Sequence, residues 1–337
     1  MKVSVMGAGS WGTVFAMILA DNGCDVMLWS RSHQIAQEIN AQHTNRAYHE
    51  NLELPESIMA TTDSQIALSG SELVILATPS QTMRNNLEQW GSQIPPEAIA
   101  VSLIKGIELG TTKRMSEVIS EVAGLTPDRI AVLSGPNLAH EIADREPAAA
   151  TVACVNEDSA RKVQDACTTE YFRPYYDTDV LGVELAGSMK NVIALANGMA
   201  VGLGYGENSQ ASIMTRGLAE MTRFGVALGA RPSTFSGLAG VGDLIATCQS
   251  PLSRNRTIGV HLGQGMSIQE AERAAKTTSE GVTSCAPLLE LARKASVEMP
   301  ITEQVVNVIH HGKSPNEVLQ AFMARSTHSE TGPKEHE

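Results

Sequence analysis

Through the first half of the chain, short apolar runs of β-forming residues alternate with longer segments of helical spacing. The strand-like runs stand at 2–6, 25–29, 57–61, 72–77, 98–103, 130–134, 148–154 and 171–176. Strands that alternate with helices predict a parallel sheet covered on both faces, a doubly wound α/β domain. From about residue 180 the β-branched runs stop, and segments rich in Ala, Leu, Met and Gly take over. There Leu185, Met189, Val192, Ala196, Met199 and Leu203 recur at steps of four and three, which predicts a helix buried along one side. The pattern thus divides the chain into a sheet domain over 1–179, an all-helical domain over 180–325 and a loose polar tail over 326–337. No repeat or low-complexity linker intervenes, so the two domains should pack directly and leave a cleft, the usual place for a ligand.

A length of 337 residues agrees with two domains. The balance of 25 Lys+Arg against 37 Asp+Glu gives a formal charge of −12, with no basic stretch that could track a nucleic-acid backbone. Nucleic acid and anionic membrane are therefore poor partners, and an anionic substrate has to be drawn by a few local cations and helix ends. The 5 cysteines lie far apart, which suggests neither a disulfide framework nor a metal site and fits a reducing compartment. The N-terminus leads straight into a strand and no apolar run approaches a membrane span, so a cytoplasmic protein is expected.

Gly7-Ala8-Gly9-Ser10-Trp11-Gly12 follows the first strand and opens a helix that should run from Ser10 to about Asp21. In that setting Gly7 permits the tight turn, Gly9 lets backbone approach a pyrophosphate, and Gly12 lets the helix lie on the sheet. The start of the helix then offers free N–H groups to the phosphates. This fingerprint makes the expected fold an N-terminal doubly wound Rossmann-type sheet plus a C-terminal all-α domain. An NAD site usually carries a carboxylate at the end of the second strand to hold the ribose. Here that strand ends Leu28-Trp29-Ser30-Arg31, with no acid. Ser30 and Arg31 suit a 2′-phosphate, giving NADP(H) as the preferred cofactor and NAD(H) as a possible one; an ordinary surface charge is the other reading of Arg31. Pro79, after the fourth strand, is read as a strand stop without chemistry.

Two further strand ends carry unusual groups, Lys105-Gly106 after the fifth and Ser134-Gly135-Pro136-Asn137 after the sixth. Lys105 is placed to meet an anion or is simply an exposed lysine. In the helix from 180, Lys190-Asn191 stand amid Ala186, Gly187, Ala194 and Gly198, which leaves space for a ligand beside the ammonium. Reducing a ketone needs a proton donor near the developing oxyanion, and a buried lysine near another cation has its pKa lowered into a useful range. Lys190 is the catalytic candidate on these grounds. Asp243 and Thr247 fall on one face if that stretch is helical. Ser253 reads as an N-cap, so Ser253-Arg254-Asn255 is either a phosphate clamp at a helix start or a plain cap with Arg254 in solvent.

Taken together, the runs GAGSWGT from Gly7, KGIE from Lys105, SGPNLAHE from Ser134, ELAGSMKNVIALANG from Glu184, TRGLAEM from Thr215, GLAGVGDLIATC from Gly237 and SRN from Ser253 resemble the bacterial-type NAD(P)-dependent glycerol-3-phosphate dehydrogenases, over residues 1 to about 325. The resemblance implies reversible reduction of dihydroxyacetone phosphate to sn-glycerol 3-phosphate for phospholipid synthesis, with Lys190 passing the proton. It implies a substrate site of Lys105, Gly135, Asn137, Lys190, Asp243, Ser253, Arg254 and Asn255. It places Ser10, Trp11, Arg31, Lys105, Ala139, Arg254 and Glu280 at the dinucleotide, beside Gly7, Gly9 and Gly12, and it calls for no metal. Two departures stand out. Asn137-Leu138 replaces a hydroxyl residue followed by Phe, and Thr278-Ser279 replaces two valines, which puts Thr278 in doubt as a cofactor contact.

The rival readings are a related two-domain dehydrogenase of a 3-hydroxy or 2-keto acid, and a non-enzymatic sensor of NAD(P)H. The Ser253-Arg254-Asn255 run separates the first, because it suits a phosphate rather than a carboxylate. The second needs no proton donor at Lys190. Apolar helical surface is compatible with a homodimer.

Overall fold

A computed structural model describes residues 1–275 and 279–323. Thr278 and the tail over 326–337 lie outside the described residues. Eight strands form one sheet: β1 (Lys2–Met6), β2 (Asp25–Trp29), β3 (Ile58–Thr61), β4 (Leu73–Leu76), β5 (Ile99–Ser102), β6 (Ile130–Ser134), β7 (Ala148–Ala153) and β8 (Phe172–Asp177). Each falls on a run that the apolar pattern predicts. Their order is β8-β7-β6-β5-β4-β1-β2-β3, so the chain reverses its direction of travel across the sheet between β1 and β4. That reversal is where an open α/β sheet leaves a crevice at the carboxyl ends of its strands.

Alternation along the strands serves two cores. In β4, Leu73 and Ile75 face a cluster with Val3, Phe15, Ile18 and Leu28, whereas Val74 and Leu76 face one with Met6, Trp29, Met115 and Ile119. A sheet covered on both faces needs apolar residues at successive positions, which explains the unbroken apolar runs in the sequence. The sheet is not wholly parallel as expected: β6 and β7 run antiparallel, with Leu133 opposite Val152, and β7 and β8 are parallel to each other. The physical reason lies in the connection. A parallel neighbour requires a crossover element long enough to return along the sheet, and the only helix between β6 and β7, Ala139–Ala143, has 5 residues. A second structure not predicted is an antiparallel hairpin of Thr44–Asn45 with His49–Glu53, set outside the main sheet.

After β8 every described element is helical. The Val180–Gly202 helix is capped by Asp179, whose Oδ1 accepts from Gly182 N at 2.9 Å. It is not buried along one side only: every residue from Gly182 to Ala200 except Ala196 is buried. Its small residues admit neighbours all round. A Cβ at Gly198 would lie 2.3 Å from the Arg256 carbonyl, and one at Gly259 2.3 Å from the Leu195 carbonyl, so the Arg254–Gly263 helix rests on it backbone to backbone. The same helix is tied to the sheet domain by Glu184, which accepts from Arg114 Nη1 at 2.6 Å, Ser116 N at 2.8 Å and Ser116 Oγ at 2.6 Å.

Candidate active site

The crevice end of β1 is shaped for close backbone contact. Gly7 has φ +137°, and a Cβ there would lie 2.5 Å from the Ala77 carbonyl at the end of β4. A Cβ at Gly12 would lie 1.9 Å from the Gly7 carbonyl, whereas one at Gly9 would meet nothing within 4 Å. Gly7 and Gly12 are therefore fixed by packing, and Gly9 borders open space. The Ser10–Asp21 helix begins there with Gly9 as its N-cap, without a side-chain cap and without an acidic residue in its first turn. Unsatisfied N–H groups at the positive end of a helix dipole suit the pyrophosphate of a dinucleotide, so the residues present fit the expected cofactor. Thr78, just past β4, adds a buried Oγ1 without a hydrogen-bond partner.

The predicted cofactor residues divide into several groups. The hydroxyl and carbonyl of Ser10 both lie 3.1 Å from His49 Nε2. The Trp11 ring packs on Phe15 and Phe172, at centroid distances of 5.5 and 6.5 Å, partly buried against the core and with its Nε1 unpartnered. Arg31 is exposed just past β2, while Ser30 is buried with its Oγ accepting from Ser32 N at 3.1 Å. Ala139 starts the short helix after β6. Glu280 opens the Glu280–Lys294 helix and reaches across the seam, accepting from Ser80 N at 3.1 Å and Ser80 Oγ at 2.5 Å.

The two lysines meet on one carboxylate. Lys190 Nζ lies 3.0 Å from Asp243 Oδ1 and donates to Thr247 Oγ1 at 2.7 Å. Lys105 Nζ, from the loop after β5, lies 2.7 Å from Asp243 Oδ2 and donates to the Gly135 carbonyl at 2.9 Å. Thr247 Oγ1 in turn donates to Asp243 Oδ1 at 3.1 Å, which is the predicted single face of the Asp243–Gln249 helix. A π turn at Leu238–Gly242, with a Cβ at Gly240 only 2.1 Å from the Phe235 carbonyl, delivers Asp243 to this position. Gly187 makes room for Lys105: a Cβ there would lie 3.4 Å from Lys105 Cγ and 2.8 Å from Ser134 Oγ.

Burial pushes the Lys190 pKa down to about 8; Asp243 opposes the fall, and the Lys105 charge adds to it. Burial also acts to raise the Asp243 pKa, but Lys105 and then Lys190 outweigh it and hold the carboxyl below its ordinary value. Lys190 is thus a buried ammonium within reach of neutrality.

Asn137 lines the same loop cluster with both side-chain amide atoms buried and unpartnered, and Ser134 Oγ is likewise without a partner. Asn255, predicted at the substrate, is largely occupied by the protein. Its Nδ2 donates to Asn191 Oδ1 at 2.9 Å, and its Oδ1 accepts from Gly281 N at 3.0 Å and from Ser279 Oγ. Asn191 Nδ2 reaches the Lys105 carbonyl at 3.2 Å, so one chain of amides links both lysine-bearing segments to the start of the Arg254–Gly263 helix. Ser253 caps that helix, accepting from Arg256 N at 3.3 Å, and Arg254 is its exposed first residue. The structure therefore brings Lys105, Gly135, Asn137, Lys190, Asp243 and the Ser253–Asn255 run to one seam between sheet and helices. Among the described residues no three His, Cys, Asp or Glu are grouped as metal ligands, and no helix is long and apolar enough to cross a membrane.

Known proteins show the same plan. The profile of the NAD-dependent glycerol-3-phosphate dehydrogenase N-terminus matches residues 2–160, and that of the C-terminus residues 179–320. The chain is 56% identical over 330 residues to glycerol-3-phosphate dehydrogenase (NAD(P)+) of Streptomyces griseus, covering 98% of each chain. It is 53% identical over 331 residues to that of Corynebacterium diphtheriae, covering 98% of this chain and 100% of the other. The solved glycerol-3-phosphate dehydrogenase of Coxiella burnetii superposes with a TM-score of 0.91 at 35% identity, over 96% of this chain and 99% of that one.

Proposed function

The chain belongs to the NAD-dependent glycerol-3-phosphate dehydrogenase family, and from that premise we propose that Lys190 is the group that gives and takes the proton of its reaction. The reaction is the NAD(P)-dependent interconversion of dihydroxyacetone phosphate and glycerol 3-phosphate. The nicotinamide supplies the hydride when bound, and Gly7, Gly9, Gly12 and the backbone of Ser10 and Trp11 would hold its pyrophosphate. Arg31 favours the 2′-phosphate of NADP(H), because no carboxylate at the end of β2 competes for a ribose hydroxyl.

One count carries the assignment. An ammonium has three N–H donors. Lys190 gives one to Thr247 Oγ1 and one to Asp243 Oδ1, which leaves one for a substrate oxygen. Lys105 gives one to Asp243 Oδ2 and one to the Gly135 carbonyl, which also leaves one. Two cations with one unfilled donor each, beside the unpartnered amide of Asn137, suit a small ligand rich in oxygen acceptors. A pKa of about 8 suits Lys190 to act as an acid near neutrality, since protonation and donor strength then meet. Lys105 holds substrate oxygen, Asn137 hydrogen-bonds it, and Arg254 neutralises phosphate at the helix start. Asn255 acts from behind, by fixing Asn191 and thereby the lysine segments.

The test is Lys190→Ala assayed beside NADPH binding. Turnover should fall by about 10²–10⁴-fold, the usual worth of a positioned acid, while the Kd for NADPH stays within a factor of about two. Retained turnover would refute the role of Lys190. Faster turnover of a small keto acid than of dihydroxyacetone phosphate would instead refute the phosphate assignment to Ser253-Arg254-Asn255.

A further inference from the structure

We infer that the Thr44–Glu53 hairpin is a working part of the dinucleotide site, in which Asn45 and His49 aim the N–H groups of the phosphate-binding turn. The inference rests on the Gly7–Gly12 turn being the place where the pyrophosphate binds. Its starting point is where the carbonyls of that turn are held. Asn45 Nδ2 donates to the Ala8 carbonyl at 3.1 Å and to Thr13 Oγ1 at 2.8 Å, so both of its amide hydrogens are engaged. His49 Nε2 lies 3.1 Å from the Ser10 carbonyl. A carbonyl oxygen only accepts, so this bond belongs to the tautomer with its hydrogen on Nε2, which the Ser10 hydroxyl at the same 3.1 Å then shares.

A trans peptide is planar, with its C=O and N–H pointing to opposite sides. A donor that holds the Ala8 carbonyl therefore turns the Gly9 N–H the other way, and one that holds the Ser10 carbonyl does the same for the Trp11 N–H. Those are donors at the start of the helix, and Gly9 borders the open space. Amides aimed before the ligand arrives need no reorganisation when it binds. Loose peptide planes would have to be ordered at the cost of affinity.

The hairpin is built to hold this position. Asn45 and His49 are 1% and 4% exposed, so water does not compete for their bonds. Glu38, on the His33–Gln42 helix, accepts from Thr44 Oγ1 at 2.9 Å and from Arg46 N at 2.8 Å, which fixes the first hairpin strand from outside. On the other side the His49 ring packs on the His140 ring at a centroid distance of 4.8 Å. His140 follows Ala139 in the short helix after β6, so the two rings join the hairpin to that helix.

Asn45 and His49 are thus positioning residues, and their effect should fall on cofactor affinity rather than on the chemical step. The test measures Kd for NADPH by fluorescence titration without substrate, and kcat at saturating NADPH. Asn45→Asp removes the donor to the Ala8 carbonyl while keeping size, and His49→Leu removes the donor to the Ser10 carbonyl. Each should raise Kd by about tenfold, the worth of one desolvated hydrogen bond, with kcat and the KM for dihydroxyacetone phosphate kept within about twofold. His49→Gln, whose amide can donate, should recover most of the affinity. Should Asn45→Asp fail to fold, the His49→Leu and His49→Gln pair still decides. Gly9→Val is the control for the premise. If it leaves Kd unchanged, the turn is not the phosphate site. If it weakens binding while folded Asn45→Asp and His49→Leu bind NADPH like wild type, the hairpin inference alone is overturned.

Discussion

Replacing Asp243 by Asn keeps the shape of the lysine pair and removes the charge between its two ammonium groups. Asp243 Oδ1 lies 3.0 Å from Lys190 Nζ, and Oδ2 lies 2.7 Å from Lys105 Nζ. At an effective dielectric constant of about 20, a unit attraction at that distance is about 5 kcal/mol. If relaxation and water recover roughly half of it, the remainder still lowers the Lys190 pKa by about two pH units, at 1.36 kcal/mol each. The introduced amide cannot serve both cations, because it presents an oxygen to one and an NH₂ to the other. On the proposed role of Lys190, reduction needs its ammonium form. In the wild type kcat/KM for dihydroxyacetone phosphate should therefore fall as pH rises through about 8, since this parameter reports the free enzyme. In Asp243→Asn the fall should begin near about pH 6, and deprotonation alone should lower kcat/KM roughly tenfold at neutrality. The assay is loss of NADPH absorbance across the pH range, with the Kd for NADPH measured beside it. A variant whose rate drops by a constant factor while its alkaline limb stays with the wild type would refute the electrostatic argument.

Three further substitutions have expected outcomes. Gly259→Ala puts a Cβ 2.3 Å from the Leu195 carbonyl and 2.9 Å from Gly198 Cα; overpacking of this kind costs about 1–3 kcal/mol, read in thermal unfolding. The same change should raise the KM for dihydroxyacetone phosphate more than that for NADPH, because it pushes the Arg254–Gly263 helix off its seat. Arg31→Ala should raise the KM for NADPH about tenfold, the worth of a charge-assisted hydrogen bond, and leave NADH within about twofold; equal effects on both would remove Arg31 from 2′-phosphate recognition. Glu184→Ala leaves Arg114 only its exposed ionic partner Glu117, 3.1 Å away, and takes the acceptor from the buried Ser116 N and Oγ, which should cost about 2–3 kcal/mol in denaturant unfolding; a loss below about 1 kcal/mol would mean that the Glu184 clasp does not secure the Lys190 helix to the sheet.

The elements and the chemistry were unequally legible in the sequence. All eight sheet strands lie on predicted apolar runs, because burial on two faces demands continuous hydrophobicity that survives in a single sequence. The antiparallel turn into β7 did not register, since direction depends on whether a connection can cross the sheet and the residues of β7 look the same either way. The hairpin at 44–53 escaped because its strand Thr44–Asn45 has 2 residues and both are polar; it is held by side-chain bonds rather than by apolar alternation. At the site, Lys105, Lys190 and Asp243 each drew attention through local setting, a strand end, a run of small residues and a helix face shared with Thr247. That Asp243 stands between the two lysines was not readable, since the three are brought together by the π turn at Leu238–Gly242 and by the space at Gly187. The one-sided burial read for the Val180–Gly202 helix failed for a related reason. Gly198 and Ala194 look permissive in sequence, but they mark close contact with neighbours rather than an open face.

The charge of the seam explains why a chain with a formal charge of −12 can work on a phosphate ester. The overall field repels such a substrate at long range, and salt damps that repulsion beyond about 10 Å. On the proposed site, what draws the substrate is local. Lys105 and Lys190 place two cations around the single carboxylate of Asp243, and Arg254 opens the neighbouring helix. Without Asp243 the two ammonium groups would repel at close range inside a site where Lys190 is 6% exposed, and burial would drive a proton off one of them. Without the burial, the Lys190 pKa would stay near the ordinary lysine value, too high for an efficient acid at neutral pH. On the proposed role of Lys190, the carboxylate holds its amine charged until the substrate brings its own negative charge, and the burial keeps that amine ready to part with a proton. Neither arrangement does both alone, which is why Asp243 is placed with one oxygen on each lysine rather than paired with either.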